Sequence, residues 1–260
     1  MLFLISPAKT LDYETPLPTE EYTTPQLIPQ AEELITHLRT IPAEEIGDLM
    51  KISEKLSELN VARYQSWTAE HAPGANCRQA VLAFKGDVYQ GLDAYHWSAE
   101  ELERAQSGLR ILSGLYGVLR PLDLLHPYRL EMGTRLAYQE HKNLYGYWGT
   151  QVTERLNEDL AEMESPCVVN LASNEYYSVV KPKLIEAPII TPDFKDWKNG
   201  KYKVISFYAK KARGMMVKWA LQNKVTSPED LKKFDVDGYA YNEEMSNGAN
   251  WVFTRNLEAA

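Results

Sequence analysis

Three short segments of the chain gather the residue types that grip phosphate. The first is Ser6-Pro7-Ala8-Lys9-Thr10-Leu11, directly after an apolar run that reads as a strand. A loop leaving the carboxyl end of a strand is where an α/β fold brings backbone N–H groups and side chains together. Lys9 can neutralise a phosphate there, although the GxxxxGK[ST] pattern of a Walker loop is absent. The second segment runs from Leu112 to Gly133. Gly114 and Gly117 permit a tight turn that could present backbone N–H groups, and Arg120 and Arg129 supply planar forks suited to phosphate or carboxylate. Asp123 and Glu131 in the same stretch could instead pair with those arginines in a structural network. The third segment, Ser206–Gly214, reads as a strand passing into a helix with Lys210, Lys211 and Arg213 at the helix start. Cations in a first turn oppose the helix dipole by about 0.3–1 kcal/mol each. An anion is therefore expected beside them, either an external phosphate held also by helix amides or an internal carboxylate such as Glu175 or Asp193.

Charge segregation points the same way. The window from Lys181 and Lys183 to Lys224 holds eleven lysines and arginines against three acids, a local +8 in a chain of −8, which leaves −16 on the remainder. A polyanion responds to the local field rather than to the average. The bland alternative is a set of solvated faces on opposite sides of a sheet and a helix. The five histidines fall in no HxH, HxxxH or HExxH arrangement, so no metal site and no cofactor is expected. No GxSxG elbow is present, and Cys77 and Cys167 are too few and too far apart for a disulfide framework or a CxxC pair.

These segments need a scaffold, and the hydrophobic pattern predicts one. Strands are expected at Leu2–Ser6, Ala80–Phe84, Arg110–Leu112, Cys167–Ala172, Ala187–Thr191, Lys203–Tyr208 and Trp251–Thr254. Several are continuously apolar, as strands covered on both faces are. Helices are expected at Pro25–Arg39, Ala43–Tyr64, Leu144–Met163 and Lys210–Asn223. Ser98 and Glu101 form a capping-box pattern, and Ser227-Pro228 opens a short helix. No interdomain linker or repeat interrupts the chain. The prediction is one α/β domain over residues 1–260, with a largely buried mixed sheet flanked by helices. No apolar run approaches a membrane span, and MLFLISPAKT lacks the basic start of a signal peptide, so the expected compartment is the reducing cytoplasm.

Five ordered blocks carry a resemblance: SPAKTLDYETPL, LAFKGDVYQGLDA, LSGLYGVLRPLDLLHPYRLEMGTRL, NLASNEY and ISFYAKKARGMM. Together, from residue 2 to about residue 216, they resemble the bacterial YaaA proteins, with weaker similarity onward through Asn247-Gly248. The resemblance implies a cytosolic peroxide-stress protein that limits unincorporated iron and protects DNA from oxidative damage. It further implies a single-domain α/β architecture that binds DNA through a positively charged cleft and a helix-hairpin-helix element, with a preference for irregular duplexes. Two stretches are candidates for that element: Ile46–Trp67, broken near Leu56–Asn60, and the glycine-bearing Leu112–Leu125.

The leading expectation is thus a structure-selective grip on duplex DNA by Lys9, Arg120, Arg129, Lys181, Lys183, Lys210, Lys211 and Arg213, mostly through phosphates. An enzyme acting on a nucleotide, a nucleobase or a damaged DNA end is the alternative, with Ser6, Lys9, Asp123, Arg129, Glu131 and Lys210 as the acid–base and clamping groups. Direct iron sequestration lacks a visible ligand cluster. The twelve acids of residues 1–76 read as solvated surface. The oligomeric state is left open.

Overall fold

The amino-terminal run Leu2–Ile5 (β1) is buried at every position, and it forms the centre of the sheet. In the computed structural model, which describes residues 1–74 and 76–257, β1 pairs in parallel with Leu109–Ser113 (β2) on one side. Gly117–Leu119 (β3) folds back antiparallel on β2. On its other side β1 pairs in parallel with Val168–Asn170 (β4), which pairs in parallel with Ile189–Trp197 (β5). Tyr202–Lys203 (β6) turns back on β5. Ala240–Asn247 (β7) and Asn250–Asn256 (β8) complete the sheet, with β8 parallel to β5 and β7 antiparallel at the edge. The strand order is therefore β7-β8-β5-β4-β1-β2-β3, a mostly parallel eight-stranded sheet in one compact domain flanked by helices. The α/β prediction holds.

Chain order reverses across β1. The chain first builds β2 and β3 on one flank, then crosses to lay down β4, β5 and β8 on the other. Such a switch leaves a crevice at the carboxyl ends of the strands, because neighbouring loops there lead in different directions. The loops after β1 and β4 meet in that region. Ser173 donates its N–H to Ser6 Oγ at 2.9 Å, and the two hydroxyl oxygens lie 3.2 Å apart.

Local signals and tertiary context part company at several places. Ala80–Ala83 is one turn of helix, with strand geometry only at Phe84–Lys85, because a short buried apolar run fits either state. The Lys203–Tyr208 strand stops at Lys203, and helix Ser206–Gln222 starts inside the β-rich Val204–Tyr208 run. The expected helix Ala43–Tyr64 is two, Ala43–Met50 and Glu54–Ser66, and it breaks at the left-handed Lys51 (φ 53°) rather than near Leu56–Asn60. Leu144–Met163 likewise divides at Gly149 (φ +51°). The polar edge strand β7 carries too weak an alternation to be read from the sequence.

The Ser98–Glu101 capping box forms as expected: Glu101 N–H donates to Ser98 Oγ at 3.2 Å, and Ser98 N–H to Glu101 Oε2 at 2.6 Å. Ser98→Ala should cost about 1 kcal/mol and Ser98→Gly only a few tenths. Urea unfolding midpoints check this, and equal losses for both would show that the cap bond is not the cause.

Candidate functional site

A cleft of about 450 Å³ opens beside the ends of β1 and β4, lined by Ser6–Thr10, Lys85–Tyr89, Glu131, Ser173, Glu175, Tyr176, Lys210 and Arg213. Five segments far apart in sequence build it. The loop after β1 brings Ser6 and Lys9, and the helix after β4 (Asn174–Tyr177) brings Glu175 and Tyr176. The remaining wall comes from Glu131, from Lys85 and Gly86, and from two helices packed on each other, Asp87–Leu92 and Ser206–Gln222.

That packing depends on two glycines. A Cβ on Gly214 would sit 1.9 Å from the Val88 carbonyl oxygen, and one on Gly91 would sit 2.1 Å from that of Lys211. The helices therefore touch backbone to backbone, which sets Asp87 and Tyr89 beside Lys210 and Arg213. Tyr89 is buried and donates its hydroxyl to the Ser6 carbonyl at 3.1 Å. Burial pushes its phenol, and that of Tyr176, well above the ordinary tyrosine value, so both stay neutral.

The four cations of the cleft differ in how they are matched. Lys9 Nζ lies 2.5 Å from Glu131 Oε1, an oxygen that Arg129 also reaches at 3.4 Å. Lys85 lies 3.5 Å from Asp12. Among the described residues, no carboxylate comes within ion-pair distance of Lys210 or Arg213. Arg213 is partly buried, and burial pushes its guanidinium below the usual arginine value while Asp193 opposes that shift. An arginine stays charged through such a change. The cleft thus holds one partly desolvated and one exposed cation, three residues apart on a helix, and among the described residues neither is closed by a direct ion pair. Glu175 Oε1 accepts the Gly133 N–H at 3.0 Å on the same rim.

The eight predicted cations divide by place. Lys9, Lys210 and Arg213 line the cleft, and Arg129 reaches it through Glu131. Arg120 does not join them. Its Nε and Nη2 hold Asp123 Oδ1 at 3.1 and 2.9 Å while its own N–H binds Oδ2, which makes it the clamp of a local turn. Lys211 faces a different groove, with Asp93 and Lys218. Lys181 and Lys183 lie on the return run toward the amino end of β5, beside helix Gln151–Ala161. The dipole argument for the third segment also changes: the helix begins at Ser206, so its cations stand beyond the first turn, where the dipole field has faded.

Sequence reasoning missed Lys85, Asp87, Tyr89, Ser173 and Tyr176 as cleft residues. One signal was available: Ser173-Asn174-Glu175-Tyr176 follows a buried strand, as Ser6–Thr10 does. Lys85–Tyr89 lay in a block that carries the resemblance, but no local chemistry marked it as a site.

The candidate hairpins give a different picture. Leu112–Leu125 is not helical: β2 and β3 make it a β-hairpin, since the extended apolar strands on either side of Gly114 and Gly117 win sheet partners. Ala43–Met50 and Glu54–Ser66 do form a helical hairpin. Its groove, however, is lined by Glu44, Asp48, Glu54 and Glu58 with no cation, a surface that repels phosphate. Among the described residues, no group of three or more His, Cys, Asp or Glu is placed to hold a metal ion, and no helix is long and apolar enough to cross a membrane.

A family model described as "Peroxide stress protein YaaA" matches residues 1–245. The chain belongs to this family. Relatives named UPF0246 protein support the match over nearly full length. The one from Hahella chejuensis is 55% identical over 255 residues, covering 98% of this chain and 99% of its own. The Shewanella woodyi protein is 57% identical over 255 residues with the same coverage. That of Janthinobacterium sp. is 55% identical over 257 residues, 99% of each chain. All five blocks that carried the resemblance lie within the matched span. Each of them supplies cleft residues: Lys9, Lys85 and Asp87, Glu131, Ser173 and Glu175, and Lys210 and Arg213.

Proposed function

We propose that this YaaA-family protein serves the peroxide-stress response by holding DNA at the cleft, in the cytoplasm, and so limits damage driven by iron and peroxide. The observation that carries the reading is the pair Lys210 and Arg213, which line the cleft with no carboxylate within ion-pair distance among the described residues. Phosphate is the anion best suited to them: Arg213 offers a planar fork and Lys210 a point charge. Contacts of this kind fix a nucleic acid in place without reading its sequence, so selectivity would come from DNA shape and deformability. Asp87, Glu131 and Glu175 in the same cleft argue against a long continuous run of backbone lying in it.

Fluorescence anisotropy of labelled duplexes across a salt series tests the reading. Affinity should fall steeply with salt, by a slope of about 0.9 per neutralised phosphate on logarithmic axes. Lys210→Glu with Arg213→Glu should weaken binding at least tenfold for every sequence tried. A salt-independent signal, or full affinity in the charge-reversed variant, overturns it.

One observation favours an enzyme as a second reading. Glu131 and Glu175 stand beside the cations, and a carboxylate near a phosphate clamp is the arrangement for acid–base work on a nucleotide or a damaged DNA end. Turnover of a nucleotide or nicked-DNA panel, lost in Glu131→Gln with the fold retained, would establish it.

A further inference from the structure

Resting on the reading just given, we infer that the cleft accepts one nucleotide unit, phosphate together with sugar or base, and not a stretch of duplex backbone. A volume of about 450 Å³ lies within the range of about 300–1,000 Å³ typical of clefts that enclose a single small molecule. The cleft also stands at the switch in strand order, where open α/β sheets place such ligands. DNA that reaches it must offer a strand end or a nucleotide turned out of the stack.

The lining chemistry asks for more than an anion. Lys210 and Arg213 offer positive charge, whereas Glu131 and Glu175 offer acceptors that repel phosphate. In both carboxylates the protein hydrogen bonds and ion pairs fall on Oε1, from Lys9 and Arg129 in one case and Gly133 N–H in the other. Among the described residues no protein hydrogen bond reaches either Oε2. Two such oxygens are satisfied by hydroxyl or amino groups, the donors that a ribose or a base edge supplies. Tyr89 and Tyr176 form part of the wall, and a base can pack against aromatic rings whatever its sequence. Inorganic phosphate meets only half of this site, and a nucleoside meets only the other half. A nucleotide meets both.

Calorimetric titration of the full chain with nucleoside 5′-monophosphates, the matching nucleosides and inorganic phosphate decides the point. At least one monophosphate should bind about tenfold or more tighter than its nucleoside and than phosphate, a gap of about 1.4 kcal/mol. Lys210→Gln and Arg213→Gln should weaken monophosphate and phosphate together. Glu131→Gln with Glu175→Gln should instead lower the ratio of monophosphate to phosphate affinity. Thermal melts establish that each variant is folded, and exposed Lys210 keeps the test open if Arg213→Gln is not. Equal affinity for phosphate and monophosphate, or no monophosphate binding up to millimolar concentration, overturns the inference. In that case salt-dependent duplex binding can still stand, so the DNA reading fails or survives by its own titration.

Discussion

Gly214→Ala is expected to destabilise the protein by about 2 kcal/mol net and to abolish binding at the cleft. Local and tertiary physics predict opposite signs here, which makes the substitution decisive. Gly214 lies inside helix Ser206–Gln222, where alanine is better than glycine by roughly 1 kcal/mol. Its φ is not in the left-handed region, so no conformational need explains it. Space does: the added Cβ would meet the Val88 carbonyl oxygen at 1.9 Å and the Leu92 nitrogen at 2.7 Å. Those are backbone atoms and cannot swing aside, so the two helices must part, and forcing atoms into a filled core typically costs about 1–3 kcal/mol or more. Parting them moves Asp87 and Tyr89 away from Lys210 and Arg213, the two halves of the cleft wall. Urea unfolding followed by tryptophan fluorescence measures the first effect, and duplex anisotropy the second. Gly47→Ala is the control. It is also helical, but its Cβ would meet nothing closer than 3.5 Å, so the variant should be neutral or slightly more stable. Stabilisation by Gly214→Ala would show that the helices do not depend on backbone contact.

Asp196→Ala should cost about 3–5 kcal/mol, the usual loss when one partner of a buried ion pair is removed. Asp196 is fully buried on β5, with Arg255 Nε at 2.7 Å and the Tyr239 hydroxyl donating at 3.1 and 3.2 Å. The Arg255 guanidinium lies between the rings of Tyr208 and Tyr239, at 4.5 and 4.4 Å, and also pairs with Asp237 at 2.5 Å. Without Asp196 a buried guanidinium keeps only a half-exposed partner. A fall in melting temperature on the order of 10 °C follows, at about 2–4 °C per kcal/mol for a chain of this size. Asp196→Leu combined with Arg255→Met should recover most of that loss, because both charges leave the core together. No recovery in the double variant would show that packing, not the stranded charge, was responsible. The network matters to the cleft because Tyr208 sits in the first turn of the helix that carries Lys210 and Arg213.

Much of this protein was legible one segment at a time. The buried strand Leu2–Ile5 and the Ser98–Glu101 capping box are short-range patterns, and they formed as read. The α/β class followed from them, and the Ser6–Thr10 loop was marked by its place after a strand. Boundaries were less legible where a short apolar run suits helix and strand equally, as at Ala80–Ala83 and Val204–Tyr208.

Composition could count cations but not assign their partners. Arg120 and Arg213 are the same residue type, yet one closes a turn on Asp123 and the other faces a cleft with no ion-pair partner among the described residues. The difference arises from residues brought close only by strand order, and electrostatic pairing depends on distances of a few ångströms in space. Gly91 and Gly214 tell the same story in packing, since neither reveals its necessity until two helices distant in sequence meet. Propensity and periodicity act over a turn or two of chain, and they specified the pieces. The crossing of the chain from β3 to β4 decided which pieces face one another, and with that where an anion can sit.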